Sequence, residues 1–150
     1  MATLKISDLS VGDWVMVNGK PRKISVLAEV WNGSNEVLVG YIAHVSPTGY
    51  NVVFFKPIEW VKPIPITAEI LEKNGWVFHK GSLWWVCDID KDTRANVWLG
   101  ENGECRVEVS VLYGESRSWS NYADVKLANA HIHLLQHALR LAGVEKEINL

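Results

Sequence analysis

The sequence of 150 residues contains only two cysteines, no long apolar run and only a slight excess of negative charge. Cys87 and Cys105 fall in predicted strands without the close spacing of a metal-binding pair, so we interpret them as reduced core residues. No apolar run is long enough for a signal peptide or approaches the roughly 20 residues that span a bilayer. The sequence therefore predicts a cytoplasmic protein without a membrane partner.

The charge balance and the missing motifs exclude several functions. A formal net charge of -2 creates no field for polyanions, which argues against nonspecific binding to nucleic acid. Ser116, Ser118 and Ser120 lack the Gly-x-Ser-x-Gly elbow of a nucleophilic serine. Gly100 and Gly103 belong to predicted turns and not to a phosphate-binding loop. We therefore predict a protein that is not an enzyme and carries no cofactor.

Tryptophan is the residue type in excess. Large indole rings fill the cores of small β-rich proteins, and they also stack on flat ligands. Both uses are open for the eight tryptophans, which are Trp14, Trp31, Trp60, Trp76, Trp84, Trp85, Trp98 and Trp119.

Turn and strand signals predict an α+β fold with two modules, residues 1–60 and 61–150, which can fuse into one globular unit. In the first module the turn Asn18-Gly19 favours a hairpin, and the module is predicted to be an SH3-like small β-barrel or a bent sheet. Its predicted strands are Trp14–Val17, Ile24–Val30, Val37–Val45 and Tyr50–Phe55.

The second module is predicted to be an antiparallel sheet packed by a C-terminal helix. A short connector helix comes first, with Thr67 as N-cap and Gly75 at its C-terminal end. The strands that follow are Trp76–His79, Leu83–Ile89, Val97–Leu99 and Cys105–Tyr113, and the closing helix covers about residues 127–142.

Three histidines, His131, His133 and His137, lie within that closing helix. Helical residues advance by about 100° each, which places His131 on the apolar face and the other two on the polar face. Histidines four residues apart can share a metal ion, but Leu134 stands where the zinc-protease motif has its glutamate. A metal-dependent hydrolase using His133 and His137 is therefore an alternative, and solvent-facing side chains are the simpler interpretation.

A ligand site is predicted in the loop of residues 114–122, between a strand and the closing helix. Arg117 can pair with a phosphate or carboxylate, and Trp119 or Tyr122 can stack on a base. Ser118 and Ser120 can donate hydrogen bonds to anionic oxygens. In the alternative interpretation this is a solvated loop, with Trp119 packed on the core.

A secondary basic patch is predicted beside the first hairpin turn. Lys20, Arg22 and Lys23, with Trp31 nearby, can contact a nucleic acid or an acidic partner. Charges at such a position more often serve solubility.

Three segments resemble a group of small proteins of gut bacteria and their bacteriophages, for which no activity is established. The segments are Leu4–Val15, Val61–Trp76 with its Lys-Pro-Ile-Pro-Ile-Thr run, and His131–Ile148, in matching order and spacing. The resemblance transfers no catalytic residue. It implies a phage or mobile-element setting, and hence the host cytoplasm.

Together these observations predict a non-enzymatic binding protein that sequesters a small nucleotide-like signal, as in counter-defence by a phage. Its ligand is expected to be small, aromatic and anionic, and a homo-oligomer suits such a pocket. The alternatives are an adaptor that binds protein or nucleic acid through the N-terminal module, and the metal-dependent hydrolase.

Overall fold

A computed structural model describes residues 4–30, 36–113 and 118–150, and it has the predicted α+β class. The chain divides into two compact units, residues 1–64 and 65–150, whereas the sequence places the division after residue 60. Each unit contains an antiparallel sheet of five strands. No helix in the described ranges has the length and apolar composition needed to cross a membrane.

The elements follow one another along the chain without long insertions. The first unit contains β1 (Trp14–Val17), β2 (Lys20–Val30), β3 (Glu36–Val45), β4 (Asn51–Pro57), β5 (Val61–Lys62) and the 3-10 helices Ile6–Asp8 and Ile58–Trp60. The second unit contains α1 (Ala68–Lys73), β6 (Val77–His79), β7 (Trp84–Asp88), β8 (Thr93–Leu99), β9 (Cys105–Tyr113), β10 (Ser118–Leu127) and α2 (Ile132–Leu141).

The sheet of the first unit is open and has the strand order β4-β3-β2-β1-β5. Among the described residues no ladder joins the outer strands β4 and β5, so the predicted bent sheet is present and the closed barrel is not. Register shifts interrupt the β2–β3 and β3–β4 ladders. Bulges of this kind bend a sheet over its own core. The core side chains are Leu4, Leu9, Val15, Val17, Ile24, Val39, Tyr41 and Val61.

The sheet of the second unit is a meander with the strand order β10-β9-β8-β7-β6. Along each strand, buried side chains alternate with more exposed ones, because successive side chains of a strand point to opposite faces of the sheet. One face is buried, and α2 packs near β9. The buried apolar strand residues are Trp85, Cys87, Ala95, Val97, Cys105, Val107 and Val109. The other face carries polar and aromatic side chains, a pattern typical of an antiparallel sheet covered on one side.

The connector helix α1 has the predicted caps. The Thr67 hydroxyl accepts a hydrogen bond from the backbone N–H of Ile70 at 3.3 Å. Gly75 has φ +82°, and the backbone N–H of Trp76 donates to the Leu71 carbonyl at 3.0 Å. Both ends therefore satisfy backbone groups that a short helix leaves open.

The segment before α2 differs from its prediction. The sequence predicts a loop up to residue 122 and a helix from about residue 127, but residues 118–127 form strand β10. This strand pairs with β9, and the ladder runs from Ser118 opposite Tyr113 to Leu127 opposite Cys105. Helix α2 therefore begins at Ile132, with His131 in the N-cap position. The composition of β10 suggested a loop because its side chains are mostly polar, and its pairing with β9 is what makes it a strand.

The covered face of the second sheet generates a stability prediction. Leu135→Ala is expected to lower the free energy of unfolding by about 2–5 kcal/mol, because Leu135 is 0% exposed and its loss leaves a cavity. Leu141→Ala, on the same helix but 83% exposed, should change it by less than about 0.5 kcal/mol. Urea unfolding followed by circular dichroism measures both, and equal effects would contradict the packing of α2.

Candidate ligand-binding groove

Two cationic and two aromatic side chains lie in one row on the open face of the second sheet. Lys126 is opposite Arg106 in the β9–β10 ladder, and Arg106 is opposite Trp98 in the β8–β9 ladder. Trp85 pairs with Val97 in the antiparallel β7–β8 ladder, so the preceding residue Trp84 lies opposite Trp98. Trp84 therefore continues the row on β7. Strands in a ladder are about 4.8 Å apart, so the row joins two cations to two indoles.

A groove of about 790 Å³ opens along this row. That volume lies within the range of roughly 300–1,000 Å³ that is typical of small-molecule sites. The side chains that line it are Trp84, Trp98, Glu104, Cys105, Arg106, Lys126, Leu127 and Ala128.

Carboxylates fix the guanidinium of Arg106 in place. Asp124 accepts two hydrogen bonds from it, from Nε at 2.8 Å and from Nη2 at 2.6 Å, and Glu108 lies 3.0 Å from Nη2. The Arg106 hydrogen bonds lower the pKa of Asp124, and the same bonds raise the pKa of Arg106. The guanidinium carbon also lies 5.9 Å from the ring centroid of Trp84, so the ion pair orients a cation beside the indole.

Lys126 and Glu104 bring charges of opposite sign to the groove. Neither side chain makes a hydrogen bond or an ion pair within residues 4–30, 36–113 and 118–150. The ammonium of Lys126 acts on Asp124 only at longer range, by lowering its pKa. The groove therefore offers one donor cation and one acceptor carboxylate to a ligand.

A second aromatic position lies at the other end of the open face. The guanidinium of Arg94 is 4.3 Å from the ring centroid of Trp119, which is 38% exposed, and its Nε is 2.7 Å from Asp88.

Uncharged side chains connect the two ends of the face. The Asn96 amide donates to the Ser110 hydroxyl at 3.2 Å, and that hydroxyl donates to Asn121 Oδ1 at 3.1 Å. These groups form a polar strip across β8, β9 and β10, between the groove and Trp119.

The predicted loop site is not one cluster. Arg117 lies outside the described residues, and the other four predicted side chains lie on strand β10. Ser118 and Ser120 alternate with Trp119, so they point to the opposite face, and Tyr122 occupies a bulge in the ladder. Among the described four, the strand register places Trp119 on the open face, and the predicted ligand site in this segment stays a prediction.

The histidines also differ from their predicted positions. His133 is only 1% exposed, although the helical projection placed it on the polar side, and His131 is an N-cap and not a core residue of the helix. Ring centroids are 5.7 Å apart for His131–His133 and 6.2 Å apart for His133–His137, and burial lowers the pKa of His131. Among the described side chains, no group of three or more potential ligands is arranged to hold a metal ion.

The predicted basic patch is divided between two sides of β2. Arg22 pairs with Val15 on the core side, and its guanidinium lies 5.2 Å from the ring centroid of Tyr41. Lys23 is the next residue along the strand and points to the other side, whereas Lys20 shares the side of Arg22. Trp31 lies outside the described residues. The three charges therefore do not form a single surface.

The sequence interpretation missed the residues that form the groove. The alternation of polar and apolar residues in β9 placed Arg106 on the face opposite to the buried valines. No signal in the neighbouring sequence showed which residues of the next strands would lie opposite Arg106. A usable signal was the pair Trp84-Trp85, since adjacent residues of a strand face opposite sides and one of the two indoles must leave the core.

A glycine next to the groove provides a test of its shape. A Cβ at Gly100 would lie 2.7 Å from Cη2 and 2.9 Å from Cζ3 of Trp98. Gly100→Ala should therefore displace the Trp98 indole and shift its ¹H–¹⁵N signal, whereas Gly81→Ala, which meets nothing within 4 Å, should leave it in place. An unchanged Trp98 signal in Gly100→Ala would contradict this contact.

The cysteine beneath the groove provides a second test. Burial raises the pKa of Cys105 to about 12, so at pH 8 only about one thiol in 10,000 is ionised. In a Cys87→Ala background, Cys105 should not react with Ellman's reagent at pH 8 until the protein is unfolded. Stoichiometric labelling of the native protein within minutes would contradict this burial.

The comparison with known proteins gives no relative from which a function can be transferred. The sequence matches no protein-family model and no curated protein.

Proposed function

We propose that the protein is a non-enzymatic binding protein that holds a small ring-bearing ligand in the groove of Trp84 and Trp98. The observation that carries this proposal is the alignment of two indoles with Arg106 and Lys126 on one open sheet face. Indole faces stack on flat rings, and the neighbouring charges can orient the polar groups of a ligand.

The polar groups around the groove support binding more than proton transfer. Glu108 and Asp124 are both held by Arg106, which keeps Asp124 ionised to lower pH than usual. The Cys105 thiol below them stays protonated because its pKa is raised. Groups fixed in this way are suited to keeping a constant shape for a ligand.

The nucleotide-like ligand expected from the sequence remains within this proposal. A base can stack on Trp98 or Trp84, and Lys126 supplies one cation for a phosphate oxygen. The phage setting, the counter-defence role and the homo-oligomer stay predictions from the resemblance and from the expected pocket.

The proposal is tested by thermal shift and fluorescence titration of the full chain with three probe classes. The probes are adenosine monophosphate, cyclic di-guanosine monophosphate and a set of neutral oligosaccharides. At least one class should bind and raise the melting temperature, because a ligand that binds only the folded form stabilises it. Trp98→Ala should weaken that binding by roughly 5- to 150-fold, the equivalent of losing one stacked ring.

Trp60→Ala provides the matched control, because Trp60 is an exposed tryptophan of the other unit. It should leave binding unchanged. Binding that survives a Trp84→Ala/Trp98→Ala double substitution, or no binding by any of the probes, would refute the groove as the ligand site.

A further inference from the structure

We infer that the ligand of the groove is an uncharged, polyhydroxylated ring compound, of the class of neutral oligosaccharides. This inference rests on the proposed function and specifies its ligand. It follows from how the charges of the open face are paired and from where the indoles lie along that face.

The charges of the open face favour a neutral ligand. Arg106 is held by Asp124 and Glu108, and Arg94 by Asp88, so both guanidiniums already bind carboxylates. Within residues 36–113 and 118–150, the paired strands and the groove lining place three cations, Arg94, Arg106 and Lys126, and four carboxylates, Asp88, Glu104, Glu108 and Asp124, on this face. Among these described side chains the carboxylates outnumber the cations by one, which disfavours a phosphate group.

Lys126 is a weak basis for binding a polyanion. It is the one cation of the described face without an ion pair, and it lies near Asp124, whose pKa it lowers. A phosphate dianion would need more unpaired cations to replace its lost hydration. A sugar avoids that cost, because its hydroxyl groups donate to carboxylates and accept from Lys126 and Arg106.

The aromatic positions suit the faces of sugar rings. A pyranose presents a face of C–H groups that packs on an indole, and Trp84 and Trp98 lie side by side on neighbouring strands. Each carries an indole N–H without a hydrogen bond to any described residue, which can donate to a ring hydroxyl. One end of the face therefore offers both stacking and directed hydrogen bonds to a single sugar unit.

The length of the face indicates a chain of sugar units. Trp98 is opposite Arg106 and Trp119 is opposite Leu112, six positions further along β9, which corresponds to roughly 20 Å. The polar strip of Asn96, Ser110 and Asn121 lies between these two aromatic ends and carries no charge. A mononucleotide would use only one end, whereas an oligosaccharide can contact both indoles and the amides of Asn96 and Asn121, with the buried Ser110 connecting these two amides from below.

The inference is tested by calorimetric titration of the full chain with four neutral hexasaccharides and with adenosine monophosphate. The hexasaccharides are cellohexaose, chitohexaose, mannohexaose and maltohexaose. At least one should bind, with a Kd that changes less than roughly two-fold between about 0.05 and 0.5 M NaCl, because no charge pair forms with the ligand. Trp98→Ala should raise this Kd roughly ten-fold or more, and Trp60→Ala should leave it unchanged.

Chain length gives an independent readout of the second aromatic position. Trp119→Ala should weaken binding of the hexasaccharide several-fold and leave binding of the matching disaccharide unchanged, since only the longer chain reaches that end. An equal effect on both ligands would contradict the extended mode of binding.

The remaining outcomes separate the inference from the proposed function. If adenosine monophosphate binds in a Trp98-dependent manner and no hexasaccharide does, the ligand class is wrong and the groove remains the site. A Kd that rises more than roughly ten-fold with salt also overturns the neutral ligand. If neither kind of ligand binds and cyclic di-guanosine monophosphate does not bind either, both the inference and the proposed function fail.

Discussion

The contact between Arg106 and its two carboxylates is the interaction on which the groove depends. It joins β9 to β10 through Asp124 and holds a guanidinium beside the indole of Trp84. Ion pairs exposed in this way contribute little to stability. The bidentate geometry instead fixes the position of a planar group at the edge of the groove, and it leaves Lys126 as the cation that a ligand can approach.

This polar face exists because the opposite face of the same sheet is covered. Helix α2 buries six side chains, and two of them, His133 and Gln136, are polar. On a helical projection that starts at Ile132 and advances by about 100° per residue, the buried side chains of α2 span the arc from about 240° through zero to about 100°. The apolar residues alone are centred near about 260°, so the buried face of the helix is rotated away from the centre of the apolar face. Leu141, near 180° on this projection, is consequently exposed, whereas the polar residues His133 and Gln136 are buried.

Local signals predicted the features that neighbouring residues determine. The caps of α1, the turn at Asn18-Gly19 and the alternation of β9 are all present as expected. The strand β10 could not be predicted, because Ser118, Ser120 and Asn121 resemble loop residues until β9 pairs with them. The groove was missed for the same reason: Lys126, Arg106, Trp98 and Trp84 are brought into one row by register between strands, which no short segment of sequence encodes.

The most direct test of the account is an NMR titration that follows the indole N–H signals of the intact protein. Adenosine monophosphate and the neutral hexasaccharides are added separately. The account predicts that the indole signals of Trp84 and Trp98 both shift when a ligand binds. The signals of Trp76, which is buried, and of Trp60, which belongs to the first unit, should not shift. Shifts confined to Trp60, or a bound ligand that leaves Trp84 and Trp98 unchanged, would contradict it.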